Sequence, residues 1–149
     1  LPGGESTTIG KLMVEFGLLE AVKARYAEGM AIYGTCAGMI LLCRDIIGSK
    51  QPRLGLLEAK VQRNAFGRQR ESFEADLFLP ELGAEKRPIR AVFIRAPYVG
   101  EVGPAVQVLG AVNGRAVIVR QGKILAASFH PELTEDDRMH RYFLQMIRE

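Results

Sequence analysis

Between Gly29 and Gly38 the chain commits itself to one local arrangement. Met30-Ala31-Ile32-Tyr33 is a short apolar run, and it leads through Gly34-Thr35-Cys36 into the apolar stretch from Ala37 to Arg44. An apolar run this short, bounded by glycines, reads as a buried parallel strand, and the stretch after it as a helix. The cysteine therefore sits at a strand-to-helix bend with small residues on both sides. Small neighbours permit the strained turn that thrusts a nucleophile out at the C-terminal edge of a sheet. The helix behind it brings its positive end and its first N–H groups to the sulfur, which favours thiolate over thiol. The Ala37 N–H is then placed to meet an oxyanion. Taken alone, Cys36 reads equally well as a small buried hydrophobe.

A second feature lies near the other end, where the apolar strand of Ile124 to Phe129 runs into His130-Pro131-Glu132. A histidine at the C-terminal end of a strand lies in the crevice where open α/β sheets bind ligands. Glu132, two residues on across a stiffening proline, can hold one imidazole nitrogen while the other faces a thiol. His140, within an amphipathic helix among charged residues, reads as structural. Elbow cysteine, strand-end histidine and carboxylate, in that order, describe a cysteine acyl-transfer triad.

The rest of the chain supplies the frame. Ser6, Thr7 and Thr8 are candidate N-caps for a helix carrying Ile9, Leu12, Met13 and Phe16, followed by a second helix from Leu18 to Ala27. Strand-like composition recurs at Leu57 to Phe66, Glu71 to Leu79, Ile89 to Ala96, Val106 to Val112, Arg115 to Arg120 and Lys123 to Phe129. Asn113-Gly114 and Gln121-Gly122 are hairpin signals. A helix from Glu135 to Arg148 closes the chain. The pattern is α/β at both ends with an antiparallel insertion between. At 149 residues, 48% hydrophobic and 25% charged, residues 1–149 are expected to form a single domain.

Charge and cysteine usage narrow the function classes. The net charge of +3 comes from basic residues scattered among 17 acidic ones, without the clustering of a nucleic-acid surface. The densest basic stretch, Arg63 to Arg70, reads as a solvated loop or strand edge. Two cysteines seven residues apart fit neither a metal knuckle nor a redox pair, so a reducing cytoplasm is expected. No apolar run approaches the ~18 residues of a membrane span, and no signal peptide is evident.

Four separated motifs carry a resemblance. Leu1-Pro2-Gly3-Gly4-Glu5-Ser6-Thr7, Gly34-Thr35-Cys36-Ala37-Gly38-Met39-Ile40, Phe93-Ile94-Arg95-Ala96-Pro97 and Ser128-Phe129-His130-Pro131-Glu132-Leu133 together resemble the class I (triad) glutamine amidotransferases. More narrowly they are similar to the glutaminase subunits of pyridoxal 5′-phosphate synthases; many other class I members carry Gln where this chain has Ile40. The resemblance implies a flavodoxin-like class I fold, a mixed sheet flanked by helices. It also implies a Cys36, His130 and Glu132 triad, and a substrate pocket for L-glutamine made by Gly4, Glu5, Ser6, Arg63, Ile94 and Arg95. Gly3 or Gly4 joins Ala37 in the oxyanion hole. An amino acid presents an ammonium, a carboxylate and an amide, so a carboxylate, cations and closely approaching backbone suit it. On their own, Arg63 and Arg95 read as surface ion pairs.

The implied reaction releases ammonia and glutamate through a thioester on Cys36 and needs no metal or organic cofactor. The implied consumer of ammonia is a barrel-shaped synthase subunit in a large hetero-oligomer. Two alternatives stand beside this reading: the glutaminase of another biosynthetic synthase, or a catalytically silent interaction module of the same fold. The family's sheet begins with a strand, helix and strand before the PGGEST turn, a unit of roughly thirty or more residues. This chain starts at the turn, so the domain is expected to be N-terminally incomplete.

Overall fold

A computed structural model describes residues 1–65 and 72–149. The elements in chain order are α1 (Ser6–Glu15), α2 (Leu18–Ala27), β1 (Ile32–Thr35), α3 (Ala37–Leu42), β2 (Cys43–Ile46), β3 (Leu57–Gln62), β4 (Ser72–Leu79), β5 (Ala84–Ile94), β6 (Tyr98–Val102), β7 (Gln107–Val112), β8 (Arg115–Gln121), β9 (Ile124–Ala127) and α4 (Arg138–Arg148). Short 3-10 turns cover Pro80–Leu82 and Pro131–Leu133.

Seven strands form one mixed sheet in the order β1-β9-β8-β6-β3-β2, with β7 also paired to β8. The β1–β9 and β2–β3 pairs are parallel and the others antiparallel. β4 and β5 form a separate two-stranded sheet. The antiparallel character expected of the middle is present, but β3, β6, β7 and β8 belong to the main sheet and only β4 and β5 stand apart.

All four residues of β9 are buried, as befits a strand covered on both faces. Ile124 and Ala126 face a core filled by Met39, Leu41, Leu42, Leu57 and Val61, over which α1 and α2 lay Ile9, Met13, Leu19 and Val22. Leu125 and Ala127 face the opposite core of Ile89, Phe93, Ile118 and Phe129, closed by Met139 and Met146 of α4. Full burial of side chains of this size is worth about 1.5–3 kcal/mol each. The alternation pins the register, since a one-residue slip would exchange the two sets. At the β7–β8 turn, Asn113 (φ 50°) and Gly114 (φ 73°) take the left-handed backbone that a two-residue hairpin demands.

Several expectations shift. The helix expected over Ala37 to Arg44 stops at Leu42, and Cys43 opens β2 with φ −64° and ψ 144°. Parallel pairing of Cys43 with Leu57 outweighs the apolar run's helical reading. β6 had no counterpart in the expected strands, and β1 begins at Ile32, not Met30. The first helix is capped by Glu5, whose side chain accepts from the Thr7 N–H; Ser6 is already helical. The strand expected over Leu57 to Phe66 ends at Gln62, with Phe66 outside the described residues, as are residues 66–70 of the basic stretch and Glu71.

Candidate active site

Parallel pairing of β1 with β9 places their C-terminal ends side by side, with Thr35 opposite Ala127. The two signals found ~90 residues apart in sequence therefore converge on one sheet edge. The Cys36 N–H donates to the Ala127 carbonyl at 2.8 Å, and the His130 N–H donates to Val92 O at 2.9 Å, tying both loops to the sheets.

Cys36 occupies φ 50° and ψ −106°, a strained backbone for a residue with a side chain. Its glycines are required by contact. A Cβ on Gly34 would lie 2.7 Å from the Gly38 backbone, and one on Gly38 would lie 2.3 Å from Leu1 O. The bend therefore packs directly beneath the N-terminal turn, where Thr35 donates to Leu1 O at 3.1 Å.

Gly3 of that turn lies close to both Cys36 and His130. A Cβ there would stand 2.5 Å from His130 Cε1, 3.2 Å from its Nδ1 and 3.6 Å from Cys36 Cβ. His130 Nδ1 lies 2.7 Å from Glu132 Oε1. An ionised carboxylate only accepts, so Nδ1 carries the proton and Nε2 holds the lone pair. The thiol is 3.9 Å from the Ile94 carbonyl, and no hydrogen bond joins it to His130 in this conformation. Burial pushes the Cys36 thiol up, the Ala37 N–H pulls it down, and the Glu132 charge pushes it up again, with a net rise. Burial thus opposes the thiolate expected from the helix end in the resting site: Cys36 is 8% exposed, and desolvation outweighs what the Ala37 N–H returns. Cys43, also buried, is pushed up to about 12.

A pocket of about 440 Å³ opens in front of the sulfur, lined by Gly4, Glu5, Ser6, Cys36, Ile40, Arg63, Asn64, Ile94, Arg95 and His130. Every residue expected to bind substrate is in it. Gly3 and Ala37 lie immediately behind, Ala37 with its N–H toward the sulfur. Among the described residues neither Arg63 nor Arg95 forms an ion pair; instead both hold the Glu5 carboxyl below its usual range, after the larger effects of the Thr7 hydroxyl and N–H. Arg63, in the turn directly after β3, faces the pocket.

Sequence reasoning missed Ile40, Asn64 and Gln51. Ile40 lies one turn beyond Cys36 on α3, a spacing that could have revealed it. Asn64 (φ 47°) and Arg95 (φ 44°) share with Cys36 a positive φ, so three of the four such non-glycine residues among those described line this pocket. Strain of this kind concentrates where a site is built. Gln51, at 9% exposure, bonds both Ser6 and Arg63 from behind; nothing in the local pattern around Pro52 marks it.

His140 packs its ring edge-on to Tyr33 with centroids 5.9 Å apart, outside the pocket. Among the described residues no group of three or more His, Cys, Asp or Glu could hold a metal ion, and no helix is long and apolar enough to cross a membrane.

Comparison with known proteins places this geometry in context. A family model described as the SNO glutamine amidotransferase family matches residues 1–149. The chain is 63% identical over 147 residues to the pyridoxal 5′-phosphate synthase subunit PdxT of Moorella thermoacetica, covering 99% of this chain and 77% of that protein. It is 60% identical over 148 residues to the same-named protein of a Thermus thermophilus strain, covering 98% and 75%. A crystal structure of a glutamine amidotransferase superposes with a TM-score of 0.93 at 56% identity, covering 99% of this chain and 77% of that one. A crystal structure of a putative GMP synthase component from Thermoplasma acidophilum, 16% identical with a TM-score of 0.60 over 90% of this chain and 66% of that one, shares the fold alone.

Proposed function

The chain belongs to the SNO glutamine amidotransferase family, and from that premise we propose that its Cys36, His130 and Glu132 hydrolyse L-glutamine to glutamate and ammonia for a pyridoxal 5′-phosphate synthase. The observation that carries the reading is that a Cβ on Gly3 would stand against both His130 and Cys36, two residues that line a pocket holding opposite charges.

The thiol turns from the Ile94 carbonyl to His130 Nε2, which takes its proton while Glu132 stabilises the imidazolium. Transfer to a neighbouring imidazole suits a thiol whose burial resists ionisation on its own. The sulfur attacks the side-chain amide carbon, and N–H groups of Ala37 and the Gly3-Gly4 turn meet the oxyanion. His130 returns the proton to the departing nitrogen, which leaves as ammonia. Water, deprotonated by His130, then cleaves the γ-glutamyl thioester and releases glutamate. In the pocket, Arg63 and Ser6 face the substrate's α-carboxylate and Glu5 its ammonium.

The ammonia acceptor lies on a separate barrel-shaped subunit, docked in a larger hetero-oligomer. Free ammonia is mostly protonated at neutral pH, so a producer without a docked consumer would lose it to solvent. Residues 1–149 act as one domain, and the two free thiols suit a reducing cytoplasm.

The test is glutamate release by the full-length protein, measured alone and then with the synthase partner plus its sugar phosphates. Stimulated hydrolysis coupled to pyridoxal phosphate formation is expected. His130→Asn should abolish turnover and Glu132→Gln leave a small residual rate; near-wild-type rates in both would end the triad assignment.

A further inference from the structure

Behind the pocket wall, one buried amide joins two of the groups that face the substrate. Gln51 Nε2 donates to Ser6 Oγ at 2.9 Å, and Gln51 Oε1 accepts from Arg63 Nη1 at 2.9 Å and from Ser49 Oγ at 3.2 Å. The direction of this amide is not arbitrary. A guanidinium can only donate, so the oxygen must face Arg63 and the NH₂ must face Ser6. The Ser49 hydroxyl also accepts from the Gln51 backbone N–H at 3.2 Å, which holds the segment in place.

The consequence falls on Ser6. One lone pair of its oxygen accepts from Gln51, and among the described residues no acceptor takes its proton, so the proton is left to donate into the pocket that Ser6 lines. Ser6 itself is 3% exposed, so no bulk water competes freely for that bond. Among the described residues Arg63 is meanwhile held by one nitrogen, and the rest of its fork bonds none of them.

We propose that Gln51 is the positioning residue that sets the hydrogen-bond polarity of the glutamine pocket, turning Ser6 into a donor and aiming Arg63 so that together they select a free α-carboxylate. The inference rests on the glutaminase reading above and adds to it the origin of substrate selectivity. Gln51 touches no reacting atom; it acts through Ser6 and Arg63.

Gln51→Glu inverts the arrangement with almost no change in size. A carboxylate only accepts, so it draws the Ser6 proton toward itself and turns the oxygen lone pairs to the pocket. It also neutralises much of the Arg63 charge. Gln51→Met removes both tethers but adds no charge. In the complex with the synthase subunit, the KM for glutamine should rise roughly ten- to hundredfold in Gln51→Glu, the equivalent of one charge-assisted hydrogen bond, and less in Gln51→Met. The kcat should stay within a few-fold of wild type in both.

A second readout separates selectivity from general damage. The ratio of kcat/KM for glutamine over its α-carboxamide analogue, which lacks the α-carboxylate charge, should collapse in Gln51→Glu by a similar factor. Iodoacetamide labelling of Cys36 should be unchanged. An unaltered KM and an unaltered substrate ratio in folded Gln51→Glu and Gln51→Met would overturn the proposal. A fall in kcat and in Cys36 labelling with the substrate ratio intact would also overturn it, marking Gln51 as a scaffold residue. Absence of glutamine turnover by the wild-type complex would remove the glutaminase reading itself, and this inference with it.

Discussion

Gly3→Ala tests the contact on which the catalytic reading turns. Gly3 does not occupy the left-handed region, so alanine adds no backbone strain there. Its methyl, however, would stand 2.5 Å from His130 Cε1 and 3.2 Å from Nδ1. Carbon atoms settle at about 3.5 Å, so the imidazole must retreat by about 1 Å. Glu132 holds Nδ1 at 2.7 Å from the far side of the pair, and that bond stretches or breaks as the ring moves. A misplacement of ~1 Å at a catalytic group costs roughly a hundredfold in rate. The expected result is a kcat for glutamine hydrolysis lowered about a hundredfold, with little change in KM because Gly3 does not line the pocket. The melting temperature should barely move, since His130 is only partly buried and Glu132 is half exposed. Steady-state kinetics in the presence of the synthase subunit, paired with thermal unfolding, supplies both quantities. A Gly3→Ala protein with wild-type kcat would refute the assignment of His130, in this position, as the proton carrier.

Four further outcomes follow from the two cysteines. A glutamine-shaped electrophile such as diazo-oxonorleucine should label Cys36 and spare Cys43, and simple alkylation of Cys36 in the isolated chain should climb only above the ordinary thiol range, because burial raises it; mass spectrometry of peptides across a pH series reads both. Cys43 rises from 9.0 to about 12 on folding, so its buried neutral form contributes stability that is intact below pH 9 and lost as pH climbs toward 12. Between pH 9 and 11 that loss is about 2 kcal/mol, and urea titrations should find it in wild type and missing in Cys43→Ala. Finally, Cys36→Gly should be more stable than Cys36→Ala by about 1 kcal/mol, because only glycine takes φ 50° without strain; equal midpoints of unfolding would show that the elbow stores no such strain.

What the sequence determined by itself is local. A short apolar run between glycines reads as a buried strand and Cys36 at its end as a bend residue, because the small residues that the packing of Gly34 against Gly38 requires lie close together in the chain. The same holds for His130 and Glu132, two residues apart, and for the Asn113-Gly114 hairpin. The four motifs that carry the family resemblance are likewise local strings, and the resemblance supplied the pocket-lining residues that spacing could not. The tertiary structure alone decided what depends on distant segments meeting. Parallel pairing of β1 with β9 brought Cys36 beside His130, and pairing with β3 ended the helix at Leu42 and made Cys43 a strand residue. Burial reversed the thiolate expected from the helix end, because desolvation depends on everything packed around the sulfur and not on its neighbours in sequence. Gln51 was invisible for the same reason: its partners Ser6 and Arg63 lie 45 and 12 residues away, and an amide acquires a direction only when both partners are in reach.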